Sequence, residues 1–124
     1  MRFIETKTHG YMDYLMGILL LVLPAILDLD MSSAAGAVPM VLGAMTIVYS
    51  LMTSYELGIT NVISMKTHLA IDLLSGIFLA ASPWLFGFAD EVYLPHLILG
   101  IVEIMASLMT KTKSHVTIGT EKHV

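Results

Sequence analysis

Four long apolar blocks, separated by short polar breaks, constrain the fold of this chain more than any other feature of its sequence. The blocks cover residues 10–27, 35–53, 65–86 and 92–110. Each has about 18 to 22 residues, close to the roughly 20 that an α-helix needs to cross the hydrocarbon core of a bilayer. We therefore predict an all-α membrane protein with four transmembrane helices, whose main partner is the lipid bilayer.

The composition also favours lipid as the solvent. Hydrophobic residues make up 56% of the chain and charged residues only 13%, whereas about a quarter of the residues in a typical soluble domain are charged. The net charge of −4 is small and scattered, so we expect no nucleic-acid partner. Because the chain has no cysteine, thiolate metal sites, iron–sulfur clusters and disulfides are excluded.

The charged residues predict which side of the membrane each loop occupies. All of the lysine and arginine residues lie before the first block, at the start of the third block next to the middle loop, or after the fourth block. The charged residues of the two remaining loops are Asp28, Asp30, Asp90 and Glu91. Since positive residues stay on the cytoplasmic side, we expect both termini and the middle loop inside a bacterial-type cytoplasmic (inner) membrane. Residues 111–124 are predicted to form a polar cytoplasmic tail.

The two halves of the chain share polar and helix-breaking residues at matching spacing. They are His9, Asp13, Gly17 and Pro24 in the first half and His68, Asp72, Gly76 and Pro83 in the second. Apolar segments often resemble one another by chance, but shared polar residues at fixed spacing do not. We predict a tandem duplication of one helix hairpin, residues 1–58 and 59–110. Each copy has two spans, so both copies enter the membrane in the same direction and are parallel repeats.

One short motif resembles a known family. Ser82-Pro83-Trp84 in the third block looks like the signature of the SPW-repeat integral membrane proteins, and residues 55–58 are similar to members of that family too. The resemblance extends over nearly the whole chain. It departs in the first copy, where residues 23–25 read Leu-Pro-Ala. The resemblance implies a repeated pair of transmembrane helices and a membrane location, and it implies no particular activity.

The same motif has a physical interpretation. Trp84 falls about 28 Å along its helix from the inner surface, at the level of the outer headgroups, where tryptophan is favoured. Pro83 removes a backbone hydrogen bond and predicts that the helix kinks or ends nearby. We interpret Ser82, Pro83 and Trp84 as an interface anchor and helix stop in preference to a ligand contact.

Six histidines and acidic residues lie inside the predicted spans or just before the first of them, and such residues within a span suggest a functional site. They are His9, Asp13, His68, Asp72, His96 and Glu103. Histidine precedes aspartate by four residues on the first and third helices, which places each pair on one helix face. The three carboxyl groups are about 9 to 12 Å from the inner surface at 1.5 Å per residue. His96 is predicted near the outer surface, and Tyr55 and Glu56 near the inner one.

Four interpretations of these polar residues remain open. Protonated histidine beside aspartate can tie helices together as a neutral pair. The same residues with Glu103 can form a proton or cation pathway. They can bind a hard or borderline metal ion, although the Glu-x-x-His signature of paired-metal bundles is missing. Finally, His9 and His68 can hold a haem between facing helices.

We expect a non-enzymatic structural or accessory membrane protein, because the loops are short and no catalytic motif is present. Such a small protein is expected to self-associate or to join a larger membrane complex. The alternative is a proton- or cation-translocating element that uses the His-Asp pairs and Glu103. Catalytic residues, a cofactor and a bound metal are not expected.

Overall fold

The computed structural model describes residues 1–115, and this range is all-helical, with four α-helices. They are α1 (Thr6–Leu27), α2 (Ala34–Leu51), α3 (Met65–Leu85) and α4 (Leu94–Met109). Three of them, α1 to α3, are long and apolar enough to cross a membrane, and α4 is a shorter apolar helix of 16 residues. The last part of the predicted tail, residues 116–124, lies outside the described residues.

The helices coincide with the four apolar blocks, but their ends differ from the block ends. The first helix begins at Thr6, before the apolar block, because backbone hydrogen bonding continues through polar residues. The fourth begins at Leu94, two residues after the start of its block, and Pro95 occupies its first turn. Proline is favoured there because the first N–H groups of a helix have no partner within it. At 1.5 Å per residue, α4 is about 24 Å long.

Each helix packs mainly against its neighbour in sequence, α1 against α2 and α3 against α4, and α2 also contacts α3. Glycines bring the backbones together within each pair. A Cβ atom added at Gly43 would lie 2.7 Å from the carbonyl oxygen of Gly17, and one added at Gly100 would lie 2.6 Å from that of Gly76. Small residues are typical of helices that approach this closely in membrane proteins.

The middle of the bundle is a layer of leucines. Leu20, Leu42 and Leu79 are buried together, with Met16, Val38 and Leu99 packed against them. Leu20 and Leu79 lie about two turns along their helices from Asp13 and Asp72. The leucine layer therefore separates the end of the bundle that holds the histidines of α1 and α3 from the opposite end.

At the histidine end of the bundle, extended segments cap the C-terminal ends of α2 and α4. The N–H groups of Phe3 and Ile4 donate to Met109 O at 2.8 and 2.9 Å, after the last turn of α4. Similarly, the N–H groups of Val62 and Ile63 donate to Met52 O at 2.8 and 2.9 Å, after α2. These bonds satisfy carbonyl groups that a helix end leaves free and fix the positions of the residues that follow each helix.

The Ser-Pro-Trp motif lies at the C-terminal end of α3. Pro83 is in the last turn, and Ser82 Oγ donates to Leu79 O at 2.7 Å. The Trp84 side chain is 55% exposed, and its ring centroid is 5.6 Å from that of Tyr93. The helix ends at Leu85, which agrees with the predicted helix stop. An exposed tryptophan at this position is compatible with an interface anchor.

Candidate functional site

Two histidines and two aspartates from α1 and α3 meet in the interior of the bundle. His9 Nε2 lies 3.0 Å from Asp13 Oδ1 and 2.7 Å from Asp72 Oδ2. His68 Nε2 lies 2.9 Å from Asp13 Oδ2 and 3.2 Å from Asp72 Oδ2. All four side chains are buried. We call them the His–Asp quartet; each histidine contacts the aspartate of its own helix and that of the other helix.

Two threonines determine the protonation of the histidine rings. Thr110 Oγ1 lies 2.7 Å from His9 Nδ1, and Thr53 Oγ1 lies 2.7 Å from His68 Nδ1. Each hydroxyl also donates, at 2.6 Å, to the carbonyl oxygen four residues earlier in the chain. A hydroxyl has a single proton, so each threonine oxygen accepts from the ring. Both Nδ1 atoms therefore carry hydrogen, and both Nε2 atoms face the carboxylates.

Two tyrosines donate to the carboxylates of the quartet. Tyr55 Oη donates to Asp13 Oδ2 at 2.7 Å, and Tyr49 Oη donates to Asp72 Oδ1. Both rings pack on His68, with centroid distances of 5.0 Å for Tyr49 and 5.1 Å for Tyr55. Tyr55 lies in the loop between α2 and α3. Burial is the main cause that raises the pKa of Tyr55, and the negative charge of Asp13 raises it further. The hydroxyl therefore stays protonated and acts as a donor.

The residues predicted at the inner surface occupy different environments. Tyr55 is 1% exposed and belongs to the surroundings of the quartet. Its neighbour Glu56 is half-buried and accepts a hydrogen bond from Thr6 Oγ1 at 2.8 Å. The loop between α2 and α3 thus contributes one side chain to the site and attaches another to the start of α1.

Glu103 of α4 faces the quartet across a small cavity. The cavity has a volume of about 20 Å³ and is lined by His9, Asp13, Asp72 and Glu103, with apolar walls. Glu103 is 7% exposed, and its Oε1 atom has no hydrogen-bond partner within residues 1–115. A polar cavity of this size can hold one water molecule. The structure therefore brings Glu103 and three members of the quartet around one cavity.

His96 lies apart from the quartet, beyond the leucine layer. It is fully buried, its Nε2 atom contacts Ala35 O at 2.8 Å, and its ring centroid is 4.9 Å from that of Phe88. The contact with Ala35 joins the start of α4 to the start of α2. The polar cluster predicted from sequence thus divides into a quartet with Glu103 at one end and His96 at the other.

Three residues of this site, Thr53, Thr110 and Tyr49, were not predicted from the sequence. Thr53 and Thr110 end matching Ser-Leu-Met-Thr runs, residues 50–53 and 107–110, so the comparison of the two halves contained a signal for them. The same comparison gave no signal for Tyr49, because the corresponding position in the second half is Ala106.

The chemistry of the quartet fits a small cation better than a haem. Each of its members offers one ligand atom, and the four atoms all lie within 4.8 Å of one another. The ring centroids of His9 and His68 are only 5.5 Å apart, and both Nε2 atoms are in contact with carboxylates. In the described part of the chain there is consequently no gap for a macrocycle between the two histidines.

The comparisons with known proteins agree with the motif and the helices. Neither the curated proteins nor the solved structures contain a match to this chain. The family model of the SPW repeat domain matches residues 7–110, a region that contains all four helices except the first residue of α1. The chain therefore belongs to the SPW repeat family.

Proposed function

We propose that the chain is a structural or accessory component of a bacterial-type inner membrane, built from two tandem copies of one helix hairpin. Matching backbone features support the duplication. Leu29 N–H donates to Pro24 O and Phe88 N–H to Pro83 O, both at 2.8 Å. A residue with positive φ follows each of these helices. It is Asp28 after α1 and Gly87 after α3.

The orientation proposed from the positive residues places the quartet in the cytoplasmic half of the bilayer. Both termini and the loop between α2 and α3 then lie inside, and the acidic loops lie outside. Exposed apolar residues on the outer face of α1 suit contact with lipid or with another membrane protein. They are Tyr11, Leu15, Ile18 and Val22.

The observation that carries the structural role is the crossed contact of the quartet. Each histidine approaches an aspartate of the other hairpin, at 2.7 Å for His9 with Asp72 and 2.9 Å for His68 with Asp13. In lipid the hydrophobic effect does not drive helices together, so polar contacts and close packing decide their association. Two imidazolium and two carboxylate groups also balance in charge, which makes their joint burial feasible.

The same contacts favour a role other than catalysis. Within residues 1–115, the polar atoms of the quartet are directed at one another and at four hydroxyl groups. A catalytic group must instead reach a substrate. Short loops are also suited to a component that self-associates or joins a larger membrane complex.

The structural role predicts that Asp72→Asn and Asp13→Asn each destabilise the protein. Removing one partner of a buried ionic group leaves charge uncompensated and costs about 3 to 5 kcal/mol. Thermal unfolding in detergent would measure the loss, with the exposed Asp90→Asn as the matched control. If both quartet variants unfold at the wild-type temperature and assemble as the wild type does, the quartet is not a structural link.

A second candidate function, proton or cation translocation, is favoured by one observation. Glu103 lines the cavity beside the quartet, and its Oε1 atom has no hydrogen-bond partner among the described residues. The leucine layer separates this cavity from His96, so translocation also requires the layer to open. Flux measured in proteoliposomes tests the idea. A flux that is the same in wild type, Glu103→Gln and Asp72→Asn rejects this pathway.

A further inference from the structure

The geometry points to a bound metal ion: the His–Asp quartet is a site for one zinc-type divalent ion. The ligands are Nε2 of His9 and of His68 and one carboxylate oxygen each of Asp13 and Asp72. This inference rests on the proposed structural role of the quartet, because the ion then becomes the group that joins the two hairpins.

The four ligand atoms lie within 4.8 Å of one another, which is close to the spacing in a tetrahedral site. Zinc binds histidine nitrogen and carboxylate oxygen at about 2.0 to 2.2 Å, which places neighbouring ligand atoms about 3.3 Å apart. The contacts between histidine nitrogens and carboxylate oxygens in the quartet run from 2.7 to 3.2 Å. Rotation of the side chains that lengthens these contacts would bring the ligand atoms to the distances that the ion requires.

Both histidine rings present the correct atom to an ion. Because Thr53 and Thr110 accept from Nδ1, the neutral ring has its lone pair on Nε2, and that atom faces the carboxylates. His68 Nε2 is also buried without an aligned hydrogen-bond partner among the residues described, although two carboxylate oxygens are near it. A metal ion at the centre of the quartet supplies the missing partner.

Every ligand also has the supporting hydrogen bond that metal ligands in proteins usually have. Ligating histidines donate their other ring N–H, and ligating carboxylates accept further hydrogen bonds, which fixes the orientation of both. Thr110 and Thr53 accept from the histidines, and Tyr55 and Tyr49 donate to the aspartates.

Charge and ligand chemistry indicate the class of ion. A divalent ion that replaces the two Nε2 protons leaves the quartet neutral, which suits a buried position. Two imidazoles with two carboxylates favour Zn²⁺ and similar borderline ions over Mg²⁺ or Ca²⁺, which prefer oxygen ligands only. Glu103 and the cavity of about 20 Å³ provide room for a water molecule beside the ion.

Metal analysis of the full chain tests the site. The protein is purified in detergent through a tag without histidine and is analysed for metal before any chelator is added. We expect about one zinc-type ion per chain, in line with a four-ligand site. After removal of the ion, Co²⁺ should restore binding and give visible absorption bands typical of four-coordinate geometry. His68→Gln should abolish both signals, whereas His96→Gln, an equally buried histidine, should retain them.

A positioning variant keeps the test valid if the ligand variants do not fold. Thr53→Val leaves all four ligands in place and should weaken Co²⁺ affinity by about 10- to 100-fold. Folded wild-type protein without stoichiometric metal and without a Co²⁺ spectrum overturns the metal site. If Asp72→Asn is destabilised in that case, the structural role still stands. If the wild-type protein binds metal but Asp72→Asn is as stable as the wild type, the metal site stands and the structural role is wrong.

Discussion

Two threonine hydroxyls set the chemistry of the quartet at the scale of single residues. Each follows a helix and donates to a carbonyl oxygen of its own helix, so only its oxygen lone pairs are available to a histidine. The histidines consequently cannot place a lone pair on Nδ1 and direct Nε2 at Asp13 and Asp72. The protonation pattern of the interior is therefore determined by Thr53 and Thr110, which carry no charge.

Thr110→Val tests this dependence. The substitution keeps the shape of the side chain but removes the acceptor of the His9 Nδ1–H, so a buried donor is left unsatisfied at a cost of about 1 to 3 kcal/mol. Unfolding in detergent should show this loss, and the exposed Thr60→Val should not. Thr110→Ser keeps the hydroxyl and should retain most of the stability. Equal losses in Thr110→Ser and Thr110→Val would assign the effect to packing of the methyl group instead.

Helical spacing predicts part of the site and cannot predict the rest. A separation of four residues places His9 near Asp13 and His68 near Asp72, and these contacts are present at 3.0 and 3.2 Å. The shorter contacts connect α1 with α3. The spacing of residues along one helix does not show which other helix they face. The contacts between the histidine of one helix and the aspartate of the other are therefore seen only in the packed structure.

The sequence patterns gave no sign of Tyr49, and for His96 the predicted depth near the outer surface was more informative than its helix face. An aromatic residue in an apolar block is usually a packing residue, and no pattern indicates that the Tyr49 hydroxyl reaches Asp72. His96 shares a helix face with Glu103, but the two are about 10 Å apart along α4 at 1.5 Å per residue. A shared face predicts a common direction, whereas membership of one site also requires a common depth.

At the scale of elements, the glycine contacts hold each helix pair together. Gly100→Ala should destabilise the α3–α4 pair by about 1 to 3 kcal/mol, the usual cost of overpacking, because the new Cβ would lie 2.6 Å from Gly76 O and 2.5 Å from Ala80 N. Gly10→Ala is the matched control. Its Cβ would meet the side chain of Leu57 at 2.7 Å, and a side chain can move where backbone cannot. The unfolding temperature of Gly100→Ala should therefore be well below that of Gly10→Ala.

The apolar blocks predict the existence of each helix better than its ends. Hydropathy reports where a residue prefers lipid, whereas a helix ends where its backbone hydrogen bonds end. Thr6 begins α1 inside a polar stretch, and Thr110 leaves α4 in an extended conformation although it closes the apolar block. The early start of α1 matters for the site, because it places His9 within the regular helix and thus in line with Asp13.

At the scale of the whole molecule, the leucine layer separates two polar regions of different character. The quartet and Glu103 form the larger one, and the contact between His96 and Ala35 forms the other. Leu20 and Leu79 are fully buried between them. This division favours a protein that is held together at two levels over one with a continuous polar path through its interior.

The orientation of the molecule can be measured directly, because the chain has no cysteine and any introduced thiol is free of background. Ser32→Cys lies exposed in the loop between α1 and α2, and Thr60→Cys lies exposed in the loop between α2 and α3. If the positive residues determine the topology, a membrane-impermeant maleimide should label Ser32→Cys on intact spheroplasts and should label Thr60→Cys only after permeabilisation. Reversed labelling would place the quartet in the outer half of the bilayer. Labelling of both thiols before permeabilisation would mean that the chain inserts in two orientations, and either result contradicts the proposed topology.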